Sequence, residues 1–165
     1  MGSGKSTVAR LLARQIGWRH VDLDQRITDR SGVSITDIFV RHGEQVFREL
    51  EHEELTRILG EAAGNRLPTV ISLGGGTTTQ IINVELLRDH NCVLIWLNCP
   101  IEELLARCVR MADRPLFRNE ASFRDLYEVR RPHYELADYR VESGQEPSRV
   151  IESILSLGIL ERVPV

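Results

Sequence analysis

Apolar residues along this chain recur alternately at helical and at strand spacing, which predicts a mostly parallel sheet with helices on both faces. Val8, Leu11, Leu12 and Ile16 fall on one side of a helix expected from about Lys5 to Gln15. A short strand, Arg19 to Val21, follows and runs into Asp22-Leu23-Asp24. Helical patterns then cover about Gln25 to Arg30, Ile35 to Arg41 and Glu44 to Ala62, with breaks at Gly32 and Gly43. Thr69 to Leu73 is a short apolar run that stops at Gly74-Gly75-Gly76. It reads as a fully buried strand whose C-terminal end opens into a site. Cys92 to Leu97 is a second such strand, followed by a turn at Asn98 to Pro100 and a helix to about Arg110. Met111 to Ala121 has no period, and the expectation for it is a mobile lid. A helix from about Phe123 to Leu136, a strand at Tyr139 to Glu142 and a helix from Pro147 to about Leu157 complete the reading.

A chain of 165 residues fits one α/β domain with a substantial core. Its 42% apolar and 27% charged content is that of a globular protein. The net charge of -3 argues against a general nucleic-acid binder. It leaves room for an anionic small substrate, because a few arginines converging on one pocket override the average field. No apolar run approaches the roughly 18 residues that cross a membrane, and no charged-then-apolar secretion signal is read at the N-terminus. Cys92, Cys99 and Cys108 lack metal-ligand spacing and read as free thiols in a reducing cytoplasm.

Gly2-Ser3-Gly4-Lys5-Ser6-Thr7 matches the C-terminal part of the phosphate-binding loop G-x-x-x-x-G-K-[ST]. Glycines let successive backbone N–H groups turn inward onto phosphate oxygens, and the helix behind them adds its positive end. Lys5 supplies a charge for the β- and γ-phosphates of ATP, and the Ser6 hydroxyl is placed to ligate Mg²⁺.

Asp22 and Asp24, two apart at the end of a strand, can lean toward one face. They read either as one carboxylate near Mg²⁺ and one on an acceptor hydroxyl, or as an acidic turn or helix cap. Arg48 and Glu51 stand at i, i+3 on one helical face. By themselves they read first as a surface ion pair, and otherwise as an acid fixing an arginine that grips a ligand. The triple glycine 74–76 suits close approach of backbone to a ligand. Arg114 can reach the phosphates from the lid, and Arg130-Arg131 precede a mid-helix proline, Pro132. His133 is given no catalytic role.

In order, GSGKST, DLD, FRELE, GGG, RPL and RRPHY resemble the shikimate kinase family along essentially the whole chain. The resemblance implies a single domain holding a five-stranded parallel sheet in the order 2-3-1-4-5 flanked by helices. It implies transfer of the γ-phosphoryl group of ATP to the 3-hydroxyl of shikimate, in aromatic amino-acid biosynthesis, with Mg²⁺. Carried across by motif, residues Gly2 to Thr7 bind ATP, Lys5 acts on the phosphates and Ser6 ligates Mg²⁺, with Asp22 behind it. Asp24 holds the substrate hydroxyls and accepts the proton. Arg48 and Arg130 bind the shikimate carboxylate, and the Gly75 N–H closes on the substrate. Arg114 is the lid arginine, Arg107 lies against the adenine, and Arg110 is a further nucleotide contact. Expected partners are shikimate and ATP, with no nucleic acid, no membrane and no second subunit. A gluconate-type or nucleoside kinase, or a non-catalytic nucleotide-binding relative, are the competing readings.

One departure carries a structural expectation. The motif's first glycine would stand five residues before Gly4, outside this sequence, and so would the strand that leads into it. In the family's order that strand is central, between Thr69–Leu73 and Cys92–Leu97. The expectation is a slot in mid-sheet or a rearranged N-terminus, a weakened fold, and a coding region that begins upstream of Met1.

Overall fold

The computed structural model describes residues 2–65, 68–109 and 119–162. Helix α1 (Lys5–Ile16) leads into β1 (Arg19–Asp22), α2 (Leu23–Ser31) and the long run α3 (Ile35–Asn65). Then come β2 (Thr69–Ser72), a 3-10 turn at Thr77–Thr79, α4 (Ile81–Asp89), β3 (Ile95–Asn98) and α5 (Ile101–Val109). α6 (Glu120–Tyr134), β4 (Tyr139–Glu142), α7 (Pro147–Leu155) and a 3-10 turn at Ile159–Arg162 close the chain.

Local chemistry explains most boundaries. α2 begins two residues earlier than periodicity suggests, because the Asp22 carboxylate accepts the Gln25 N–H at 3.1 Å and caps it. α3 is broken at Gly43, whose φ of 83° and ψ of 173° lie outside the helical region, so the two helices predicted either side of it are real segments. α6 starts at a reciprocal cap between Asn119 and Ser122, which takes residues 119–121 out of the irregular segment and into a helix start. The rest of the expected lid, 111–118, lies outside the described residues. α4 has no counterpart in the sequence reading.

β1 pairs in parallel with β2, Arg19 opposite Thr69 through Asp22 opposite Ser72. β3 pairs in parallel with β4, Ile95 opposite Tyr139 through Asn98 opposite Glu142. Among the described residues these remain two separate two-stranded sheets. Each has its own core. Val21, Leu23, Ile27, Phe47, Leu55 and Ile58 pack around the first. Val8, Leu12, Leu97, Val141, Val150 and Ile154 pack around the second. α1 joins the halves, lying against β1, β2 and α7. Arg26 and Arg19 clamp α2 and β1 onto α3 by hydrogen bonds to Glu61 at 2.7 and 2.8 Å.

Between the sheets is a cavity of about 630 Å³ walled by Val8, Leu12, Val70, Leu73, Leu94 and Ile95. It corrects the expectation that the two central strands are fully buried: Thr69, Val70 and Ile71 are only half-buried, as are Ile95 and Trp96. β3 also begins at Ile95 rather than at Cys92. The cavity is partly open to solvent, so its apolar walls stay wet and forgo the burial that a packed strand would give. The slot therefore calls for an occupant or for rearrangement. Adding about a dozen residues ahead of Met1, enough for one apolar strand and a loop, should raise the thermal midpoint by more than about 10 °C. Scanning calorimetry of the two forms checks this, and equal midpoints would mean that the slot closes unaided in solution.

Candidate active site

The phosphate loop is built from backbone. Gly2 and Gly4 have φ of 72° and 83°, a region that glycine enters without steric penalty. Gly4 starts α1 with no side-chain cap and no acidic residue in the first turn. α2 and α6 instead have their first N–H groups taken by Asp22 and Asn119. The start of α1 is thus open to an anion. Lys5 and Ser6 follow directly, with Ser3 buried beneath and Thr7 exposed on the first turn. Arg107 donates from Nη1 to the Gly2 carbonyl at 3.3 Å and from Nη2 to Glu103 at 3.1 Å, which sets it against this loop.

Ser6 hydrogen-bonds the Asp22 carboxylate, which also accepts from Ser72 Oγ at 2.8 Å. Burial pushes the Asp22 carboxyl up, but the hydrogen bonds from Ser6, the Gln25 N–H and Ser72 outweigh it and hold it below its usual value of 3.8. An ionised carboxylate behind a hydroxyl suits Mg²⁺, which takes hard oxygen ligands and keeps waters and phosphates around it. No cluster of three or more metal-ligating side chains occurs among the described residues. The two aspartates do not share a strand end, however. Asp22 is the cap and Asp24 the exposed first turn of α2, so the helix start separates their roles.

The triple glycine lies where three charged side chains meet. A Cβ on Gly74 would stand 2.9 Å from Glu51 Oε1 and 3.0 Å from Asp24 Oδ1. A Cβ on Gly76 would stand 2.8 Å from Arg48 Cζ. A side chain at either position would have to displace the ends of these charged groups. The Arg48–Glu51 pair is no surface pair: Glu51 is fully buried and the Arg48 side chain is 11% exposed. Arg48 Nη1 donates to Glu51 Oε2 at 2.7 Å, and Thr77 Oγ1 donates to Glu51 Oε1 at 2.7 Å. Glu44 takes the other edge of the guanidinium at 2.9 Å.

α6 supplies the opposite wall. Arg130 is buried and hydrogen-bonded to Tyr134, while its neighbour Arg131 faces outward toward Glu128 and Glu135 at 3.7 and 3.8 Å. Tyr134 donates to the Gly75 carbonyl at 2.7 Å. Burial raises its phenol, while Arg130 and Arg48, both close enough to act on it, pull it down. The structure thus brings Asp24, Arg48, Gly75 and Arg130 together. Arg110 and Arg114 lie outside the described residues. Sequence reasoning missed Ser72, Thr77 and Asn83, which are short polar residues without a recognisable local spacing. Tyr134 stood in a motif without a role.

Two layers of helix around parallel strands, with a lysine and a serine opening α1 beneath a glycine loop, define a P-loop kinase. The shikimate kinase family model matches residues 1–157. The shikimate kinase of Persephonella marina is 39% identical over 157 residues, covering 94% of this chain and 92% of its own length. That of Geobacter sulfurreducens is 39% identical over 158 residues, covering 93% and 84%. The structure of Acinetobacter baumannii shikimate kinase in complex with shikimate superposes with a TM-score of 0.87 at 34% identity, covering 99% of this chain and 91% of that one. A gluconokinase from Sinorhizobium meliloti, with a TM-score of 0.62 and 17% identity, shares the fold alone. This chain belongs to the shikimate kinase family.

Removing one partner of the buried pair strands the other. Glu51→Ala should lower unfolding stability by roughly 3–5 kcal/mol, measured by urea titration, and a loss below about 1 kcal/mol would mean the pair is solvated. Acid should act through Asp22. Its contribution to stability is present above the ordinary carboxyl value of 3.8 and is lost as pH falls through its lower folded value. Asp22→Asn should therefore flatten the decline of stability below about pH 4, followed by circular dichroism.

Proposed function

We propose that this chain transfers the γ-phosphoryl group of ATP to the 3-hydroxyl of shikimate, giving shikimate 3-phosphate and ADP for aromatic amino-acid biosynthesis. One observation carries the reading: two guanidiniums flank the triple glycine, Arg48 against Gly76 and Arg130 hydrogen-bonded to the Tyr134 that holds Gly75, with the Asp24 carboxylate against Gly74. Guanidinium forks match a carboxylate and select against neutral polyols, and a carboxylate beside them suits a ring hydroxyl. The relative crystallised with shikimate supports the same substrate.

In this reading Arg48 and Arg130 hold the shikimate carboxylate and the Gly75 N–H closes on the ring. Asp24 orients the 3-hydroxyl and takes its proton as that oxygen bonds to the γ-phosphorus. The bond from phosphorus to the β,γ-bridging oxygen breaks, and the electron pair leaves with ADP. Lys5 and the open start of α1 neutralise the phosphates, so the step needs mainly positioning and charge. Ser6, with Asp22 behind it, would hold Mg²⁺, whose chemistry is to bind and neutralise the phosphate oxygens. Gly2, Ser3, Gly4 and Thr7 line the phosphates and Arg107 lies toward the nucleotide base, while Arg114, outside the described residues, is assigned to the transferring phosphate by the family resemblance. No helix among the described residues is long and apolar enough to cross a membrane, and we place the enzyme in the cytoplasm as a monomer.

A coupled ADP-release assay with shikimate, quinate and gluconate tests the assignment. Turnover should need shikimate, and equal rates with gluconate would overturn it. Lys5→Met should keep the fold and lower kcat by about a hundredfold or more. Arg48→Ala and Arg130→Ala should raise the KM for shikimate far more than that for ATP, and Arg48→Lys should be nearly as poor.

A further inference from the structure

Asn83 lies on α4, an element that carries none of the side chains the mechanism uses, yet it is fully buried. An amide in such a place is retained only with its hydrogen bonds satisfied, and an apolar residue of the same size would pack there without that demand. Its partners are specific. Nδ2 donates to the Thr77 carbonyl at 3.1 Å, and Oδ1 accepts from His52 Nδ1 at 2.7 Å. The opposite amide orientation would set two acceptor oxygens against each other at Thr77, so the carbonyl fixes which way Asn83 points.

His52 adjoins Glu51 on α3, and this closes a circuit. Through Glu51, α3 holds the Thr77 hydroxyl at 2.7 Å. Through His52 and Asn83 it holds the Thr77 carbonyl. The same residue donates its N–H to the Gly74 carbonyl at 3.3 Å. Thr77 is therefore pinned at side chain, carbonyl and amide, and it is the residue after Gly76, which leaves no room for a Cβ beside Arg48. The Thr77 carbonyl is thus joined by bonded and packed neighbours to the glycine turn and to the arginine against it.

We propose that Asn83, oriented by His52, is a positioning residue for the acceptor site: it sets the triple-glycine turn and, through Thr77 and Glu51, the guanidinium of Arg48. The inference rests on the reading of Arg48 as a ligand of the shikimate carboxylate. Its mark is selectivity: loosening Asn83 weakens shikimate binding and leaves the nucleotide untouched.

Calorimetric titration of shikimate and of MgADP into the intact protein tests this. Asn83→Asp keeps the shape and the acceptor toward His52 but removes the donor to Thr77. It should weaken shikimate about tenfold, the equivalent of one lost hydrogen bond of about 1.4 kcal/mol, with the MgADP Kd within about twofold. His52→Phe should weaken shikimate in the same sense, and His52→Gln, which can still donate, should restore most of it. A merely structural Asn83 would lower the melting temperature and the number of binding-competent molecules while leaving both Kd values in place. If Asn83→Asp does not fold, the half-buried His52 pair of variants decides. Equal shikimate affinity in wild type, His52→Phe and His52→Gln would overturn the proposal. Arg48→Ala binding shikimate like wild type would instead overturn the carboxylate reading, and this inference with it.

Discussion

A carboxylate with no solvent contact fixes the acceptor half of this enzyme. Glu51 is tolerable in the interior only if donors reach both of its oxygens. Arg48 reaches one from the same helix, and Thr77 reaches the other from 26 residues further along the chain. Once those bonds form, the turn that carries Thr77 lies so close to α3 that a side chain at 74 or 76 would have to displace Glu51 or Arg48. The glycines are thus a consequence of a buried ion pair, and the polar wall they leave is open for a ligand.

The two halves of the molecule rest on unequal foundations. The acceptor half has β1, β2, α2, α3 and α4 around the first apolar core, with the Arg19, Arg26 and Glu61 clamp outside it. The nucleotide half hangs from α1, whose apolar residues Val8 and Leu12 face both the second core and the slot. Among the described residues, polar links from Ser6 to Asp22 and from Tyr134 to Gly75 cross between the halves. These links set the phosphate loop against the acceptor site. They are directional but few, whereas a packed strand would supply burial along its whole length.

Periodicity and local motif were enough to read the order of the strands and of the described α-helices other than α4, the β4 boundaries and the break at Gly43. Each of these depends on residues within a turn or two of one another, and so does the anion-binding start of α1. Local reading placed Asp24 on a strand end because a cap such as Asp22 has the same composition as an acidic turn. It passed over α4 because a helix of nine residues with Asn83, Val84 and Leu87 inward carries a weak apolar stripe.

Tertiary structure alone decided which charges are buried. Sequence presents Arg48–Glu51 as any i, i+3 pair and Arg130–Arg131 as two equal cations. Burial of the first pair, and the inward turn of Arg130 against the outward turn of Arg131, follow from what α3 and α6 happen to pack against. Thr77 meets Glu51, and Asn83 meets His52, across 26 and 31 residues of chain. The sequence by itself determined the class of the enzyme and its phosphate chemistry, because a loop and the helix behind it are contiguous. The acceptor site's shape was decided by folding, because the energy of a buried charge depends on donors that only the fold brings within reach.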